Sequence, residues 1–178
     1  MNSINRQQAE KNHEDLQGAS AINKITELAE KSDTCFFGTY QLTDSRLHVR
    51  PMNVLKTDDA GNFWFLSAHD SHKNQELEVN PRVHLLFQGS SHSDYLSLHG
   101  VATISRDKER ISELWNPLLK TWFTEGKDDP RITVIKVTPQ EGYYWDNKHG
   151  STIAFLKMAV GATIGKTLDD SIEGEVKP

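Results

Sequence analysis

The feature that most constrains this chain is a rhythm of short apolar or alternating runs, each closed by turn residues. They fall at 35–40 (CFFGTY), 46–56 (RLHVRPMNVLK), 63–67 (FWFLS), 83–87 (VHLLF), 95–105 (YLSLHGVATIS), 131–137 (RITVIKV) and 143–145 (YYW). Runs of this length at hairpin spacing, with few helical patterns between them, predict a mainly β, α+β fold. The expected form is an antiparallel barrel of six or seven strands with helices at its edges. In the second run, alternation puts His48, Arg50 and Met52 on one face and Leu47 and Val49 on the other. Pro51 lacks an N–H, so that strand is expected at an edge or bulged. Gly38 suggests a bulge or a close backbone approach.

Helical spacing appears three times. Leu16, Ala19, Ile22, Ile25, Leu28 and Ala29 predict an amphipathic helix over about 14–31. A second helix is expected from about 71 to 79, ended by Asn80 and Pro81. A third is expected to be capped by Asp107 and to run through Leu114 or Trp115. Segment 152–158 reads as either a last strand or a helix. Residues 168–178 are acidic and expected to be loose. The domain reading is a flexible N-terminus over 1–12, one domain over 13–160 and a tail over 161–178.

Composition narrows the function. The 178 residues are 36% hydrophobic and carry a net charge of -5, which argues against general nucleic-acid binding. No apolar run approaches the ~20 residues of a membrane span, and the first 15 residues hold no signal-peptide core. Cys35 is the only cysteine, so an internal disulfide and a cysteine metal site are both excluded. A cytoplasmic protein is the economical expectation.

Residues 62–73 (NFWFLSAHDSHK) concentrate the chemistry. A buried strand ends at Ser67, and a helix opens after it with Asp70 or Ser71 as N-cap. Hydroxyls and the Lys73 ammonium then stand beside the unpaired amides of a helix start, a geometry that favours a phosphate. Arg50, one hairpin away, reaches the same anion by its fork of donors. The plainer alternative makes Lys73 a solvated lysine and Arg50 a surface ion-pair partner. An Asp70 carboxylate capping the helix would compete with a phosphate for the same amides. Of the eight histidines, His69 and His72 straddle a loop–helix junction, and His84 and His99 sit on separate strands with no Glu-x-x-His or His-x-His accompanying them, so no metal site is expected. No G-x-S-x-G elbow supports a hydrolytic triad.

In order, RPMNVL, G-x-F-W-F-L-S, S-x-K-x-x-E-L, N-P-R-V-x-L-L-F and Y-x-S-x-x-G-x-A resemble the pyridoxamine 5′-phosphate oxidase-like split barrels. The branch most resembled is the general stress protein 26-like one, and the resemblance covers roughly residues 21–145. It implies a homodimer with FMN in the groove between subunits. Carried over, Arg50 and Lys73 contact the FMN phosphate near Ser67 and Ser71, and His72 occupies a position where the oxidase has arginine. Met52, Asn53 and Val54 line the isoalloxazine through backbone groups, and Leu66 and Ser67 continue that wall. Tyr95 stands where the oxidase turns a glutamine towards the flavin. Trp115, Trp122 and Trp145 either stack on the flavin across the dimer or fill the interface, and Trp145 is carried as a candidate flavin contact.

The departures shape the functional expectation. The oxidase holds its substrate with a C-terminal Arg-x-His element, and the sequence after Trp145 contains no Arg-x-His. The expectation is therefore an FMN-dependent oxidoreductase of a small molecule, linked to stress, and not a true pyridoxamine phosphate oxidase. The alternatives are a non-catalytic FMN buffer or sensor, or a split barrel using deazaflavin F420 or haem. The aromatic residues Trp115, Trp122, Phe123, Tyr143, Tyr144 and Trp145 exceed what one small surface should expose, which supports the dimer.

Overall fold

The computed structural model describes residues 12–40, 46–91, 93–148 and 170–178. The uncertain segment 152–158, the turn at 43–45, His149 and most of the expected flexible N-terminus lie outside them. Chain order is β1 (Leu16–Gln17), α1 (Ala19–Glu30), β2 (Thr34–Tyr40), β3 (Leu47–Asn53), β4 (Lys56–Thr57), β5 (Phe63–Ala68), α2 (His72–Val79), β6 (Arg82–Gln88), β7 (Tyr95–Ser105), α3 (Lys108–Leu114), β8 (Ile132–Asn147) and β9 (Ser171–Lys177). Two 3-10 turns, Pro117–Thr121 and Gly126–Asp128, separate α3 from β8. Hydrogen-bonded neighbours run β1-β9-β8-β7-β6-β2-β3, and β5 pairs with β4 and β8. The sheet does not close, so the fold is the mainly β split barrel with flanking helices that the strand rhythm predicts. No helix among the described residues is long and apolar enough to cross a membrane.

The chain forms two compact units. The one that carries the candidate site comprises Asp33–Leu85 and His99–Gln140. In it β2 and β3 pair antiparallel without interruption from Thr34↔Asn53 to Tyr40↔Leu47. Pro51 faces Phe36 on the terminal strand of the order, where its missing N–H costs little. Gly38 is a close approach and not a bulge: a Cβ there would lie 3.0 Å from Leu47 Cδ1 and 3.1 Å from the His84 carbonyl. Strand β5 is buried on both faces. Phe63 and Phe65 point into a core where Phe65 meets Phe37 edge-on, ring centroids 5.1 Å apart. Leu66 packs on the other side with Ile111 and Leu114 of α3, and with Leu119 and Phe123 beyond it. That two-sided burial explains why the run reads as aromatic and apolar throughout.

The other unit comprises Met1–Ser32, Leu86–Leu98 and Glu141–Pro178. Helix α1 buries Ala21, Ile25, Leu28 and Ala29. It starts later than expected because Gly18 takes φ +56° and Leu16–Gln17 leave to pair in parallel with β9. Lys24 donates to Asp146 at 3.0 Å and Lys31 to Asp94 at 2.6 Å, tying the helix to the strands.

Two expectations are corrected. The runs 131–137 and 143–145 are one strand, β8, continuous through Pro139. Pro139 falls between the ladder to β5, which ends at Val137, and the ladder to β9, which starts at Gly142, so its missing N–H breaks neither. Residues 171–177, expected to be loose, form β9 against β8. Gly174 permits this, because any Cβ there would collide with the Glu14 carbonyl.

Candidate functional site

Strand β5 ends in Ser67 and Ala68, and the chain turns into α2 under Ser71, which is the N-cap. The Ser71 hydroxyl accepts from the Asn74 amide at 3.4 Å. Asp70 is exposed and does not cap the helix, so the feared competition between its carboxylate and an anion is absent. Asn74 locks this helix start to the sheet. Its side-chain amide donates to Thr133 Oγ1 on β8 at 2.8 Å, and its oxygen accepts from Ser67 Oγ at 2.8 Å and Ser71 Oγ at 3.2 Å. Thr133 in turn donates to the Ser67 carbonyl at 2.9 Å. Ser67, Asn74 and Thr133 are all buried, so the hydroxyl pair is held by a satisfied network.

Beside this helix start is a pocket of about 350 Å³. One wall comes from Pro51, Met52, Asn53 and Leu55, and the floor from Leu66, Ser67 and Ala68 with Ser71 and Lys73. The lining is completed by Leu119, Trp122 and Phe123, from the 3-10 turn after α3 and the two residues beyond it. Phe123 is buried, whereas Trp122 is 66% exposed at the mouth.

Lys73 is the distinctive group. Its Nζ lies 3.4 Å from Ser71 Oγ, and it has no carboxylate partner among the described residues. Burial, with the nearby Arg50 charge, pulls its pKa from 10.5 down to about 8. Arg50 is placed differently from the expectation. Its Nη1 donates to Thr39 Oγ1 at 2.6 Å and its Nη2 to Glu76 Oε2 at 3.1 Å. Glu76 also accepts from Thr39 Oγ1 at 2.5 Å and meets His48 Nδ1 at 2.9 Å. Burial alone would push the Glu76 carboxyl up, but these hydrogen bonds and the Arg50 charge hold it below the usual range.

Of the residues singled out in the sequence, Met52, Asn53, Leu66, Ser67, Ser71 and Lys73 come together around the pocket. Arg50 acts on it through its charge, from inside the Thr39–Glu76 network. Val54 does not line it; its amide donates to the Asp33 carbonyl at 3.0 Å. His72 opens α2 with its side chain exposed. Tyr95 and Trp145 lie in the other unit. Tyr95 donates its hydroxyl to the Ser91 carbonyl at 2.8 Å, and Trp145 packs on Tyr143 with ring centroids 4.7 Å apart. The aromatic argument for an interface is overturned: Phe123, Tyr143 and Tyr144 are buried, Trp115 and Trp145 half-buried, and only Trp122 of the six is exposed. Sequence reasoning missed Leu119 and Phe123 as a wall, although their spacing after Pro117 was a usable signal. It also missed Glu76, whose inward turn no local pattern announces. Among the described residues no three His, Cys, Asp or Glu side chains are grouped to hold a metal.

An open barrel of mostly antiparallel strands, with a cationic, hydroxyl-bearing helix start beside a largely apolar pocket, places the chain in the split-barrel class. The chain belongs to the pyridoxamine 5′-phosphate oxidase-like family, whose pattern it matches over residues 20–169. It is 26% identical to the Neurospora crassa protein bli-3 over 155 residues, covering 80% of this chain and 74% of that one. It is 32% identical to Bacillus subtilis general stress protein 26 over 78 residues, covering 42% of this chain and only 55% of the relative. Among solved structures, a candidate general stress protein 26 from Jannaschia sp. CCS1 superposes with a TM-score of 0.74 at 22% identity, over 90% of this chain and all of that one. The general stress FMN/FAD binding protein of Xanthomonas citri gives a TM-score of 0.57 at 24% identity, over 68% of this chain and 84% of its own.

Proposed function

We propose that the pocket binds FMN and that the protein is a stress-linked, FMN-dependent oxidoreductase of a small molecule, working as a cytoplasmic homodimer. One observation carries the reading: a lysine ammonium set into the wall of a largely apolar pocket, at a helix start, without a carboxylate partner among the described residues. A desolvated cation in that position is unfavourable until an anion joins it. The residues present fit FMN on that ground. Lys73 would hold the phosphate, Ser67 and Ser71 would supply hydroxyls, and Arg50 would add charge from β3. Met52, Leu66, Leu119, Trp122 and Phe123 give the pocket a largely apolar lining that suits a flat ring. Family membership supports a flavin, as does the description of the Xanthomonas citri fold relative.

When bound, the flavin supplies two-electron redox chemistry. The chain's own work is to fix the phosphate, so that the ring end is set by geometry, and to keep water from that ring with the aromatic wall. Lys73 is the one titratable side chain among those lining the pocket, and that specific poverty favours a second reading, a flavin-binding buffer or sensor without turnover. The deciding experiment is titration of wild type and Lys73→Ala with FMN and with riboflavin. Loss of the charge-assisted contact should cost FMN about 1.5–3 kcal/mol, roughly ten- to a hundredfold in affinity, and leave riboflavin little changed. Riboflavin binding as tightly as FMN to wild type would overturn the phosphate assignment.

A further inference from the structure

Three features meet on Lys73. Its amine is desolvated in a pocket wall, the Arg50 charge stands near enough to disfavour protonation, and the rest of the pocket lining is mostly apolar and aromatic. Desolvation together with a second cation is the arrangement that makes a lysine nucleophilic at neutral pH. Among the described residues no carboxylate is placed to restore its charge. With the amine pKa at about 8, roughly a tenth of Lys73 is neutral at pH 7, against roughly one in three thousand for an ordinary lysine.

We propose that Lys73, in the flavin-free protein, is a nucleophilic amine that condenses reversibly with neutral, planar aromatic aldehydes. The Nζ lone pair attacks the carbonyl carbon and forms the C–N bond while the C=O π electrons move to oxygen. A proton passes from nitrogen to that oxygen, giving a carbinolamine. Loss of water then leaves the imine, and addition of water reverses the sequence. No oxidant or reductant is needed. The Ser71 hydroxyl, 3.4 Å from Nζ, stands where it relays the proton. Trp122 and Phe123 offer the aldehyde's ring a stacking surface. The aldehyde is neutral for a physical reason: an anionic group beside Lys73 would stabilise the ammonium and quench the nucleophile. Flavin phosphate and aldehyde therefore exclude one another. The inference concerns the same pocket but does not rest on the flavin reading.

The test uses the full chain, stripped of any bound flavin, treated with 2-naphthaldehyde and cyanoborohydride and then mapped by peptide mass. Lys73 should be alkylated at least about tenfold faster than any other lysine, as its larger neutral fraction requires. Its rate should level off above about pH 8, where the amine is already neutral, while the other lysines keep accelerating. Inorganic phosphate and FMN should each slow Lys73 alone. Labelling spread evenly over the lysines, or a Lys73 rate still climbing at pH 10, would overturn the proposal. Selective labelling that FMN fails to slow upholds the nucleophile and removes the flavin reading. Tight FMN binding that depends on Lys73, without selective labelling, does the reverse.

Discussion

The Arg50 guanidinium lies 3.1 Å from the Glu76 carboxylate, whereas Lys73, one turn earlier on the same helix as Glu76, has no carboxylate partner among the described residues. The two cations that the sequence assigns to one anion therefore play unequal parts. Arg50 is already hydrogen-bonded and partly neutralised, while Lys73 carries an uncompensated charge.

Glu76→Gln tests this division. Glutamine keeps an acceptor for Thr39 and Arg50 but removes the negative charge that offsets Arg50. FMN affinity should rise about threefold to tenfold, as expected for one charge removed several ångströms from a phosphate in a partly solvated site. Stability should fall by about 1–3 kcal/mol, because Glu76 is buried and its charge-assisted bonds are lost. The pH dependence has a fixed sign. The folded carboxyl titrates below its ordinary value of 4.5, so its stabilisation is present above that value and is lost as pH falls through the folded pKa. Urea unfolding from pH 3 to 7 should show that loss in wild type and less of it in the variant. An unchanged acid profile would mean that Glu76 does not hold the network.

Lys73 gives the opposite linkage. Its folded pKa of about 8 lies below the ordinary 10.5, so between those values the unfolded chain binds more protons. The flavin-free protein should therefore gain stability as pH rises through that window, and Lys73→Met should abolish the gain. For FMN the sign reverses, since the phosphate needs the charged amine. Affinity should fall with pH above about 8, by up to roughly tenfold per unit, and Lys73→Arg should flatten the profile. Calorimetric titration at pH 7, 8, 9 and 10 reads it directly. A flat wild-type profile would remove Lys73 from the phosphate site.

The proposed homodimer needs a surface other than the aromatic set that suggested it. Phe36 on β2 and Leu47 and Val49 on β3 share one face of the hairpin, and are 53%, 38% and 46% exposed. A contiguous apolar face on an edge strand invites a second copy. Val49→Asp should weaken association at least about tenfold, one desolvated charge being sufficient for that, with little change in monomer stability. Sedimentation equilibrium of wild type with flavin, giving only the monomer mass of 20.2 kDa at micromolar concentration, would end the dimer reading.

How far the sequence carried depends on which residues are asked. Strand β5 was legible because both of its faces are buried and its flanks are turn residues, and α2 because Ser71 and Asn80-Pro81 mark its ends. Strand β8 was read as two because Pro139 and Gly142 punctuate it, and only its partners show that Pro139 falls between the ladders to β5 and β9 and that Gly142 pairs with Val176. Strand β9 was missed because its SIEGEVK composition is polar, and its place comes from β8 beside it and a glycine that admits Glu14. At the site, the hydroxyls and Lys73 were legible from helix-start chemistry. Arg50's partner was not, because Thr39, His48 and Glu76 meet only through tertiary packing.

The last prediction is that the FMN-loaded protein does not oxidise pyridoxamine 5′-phosphate at a useful rate, despite its family. Hydride transfer needs the donor carbon held near the acceptor, and much of the barrier reduction comes from that positioning. A phosphorylated, planar substrate needs a second set of fixed donors, beyond those spent on the flavin phosphate. The sequence after Trp145 supplies Lys148 and His149 and no Arg-x-His. Lys148 is itself engaged, donating to the Asn12 side chain, while its amide donates to the Asp170 carbonyl at 2.8 Å. A lysine so tied is a point charge without the planar fork that orients a ring and phosphate together. Aerobic turnover should be followed by pyridoxal phosphate and peroxide together, beside a true oxidase. Product at a rate within about tenfold of the oxidase would show that Lys148 or His149 orients this substrate after all. Flavin reduction by NADH or NADPH with no pyridoxal phosphate formed would instead favour the oxidoreductase over the passive binder.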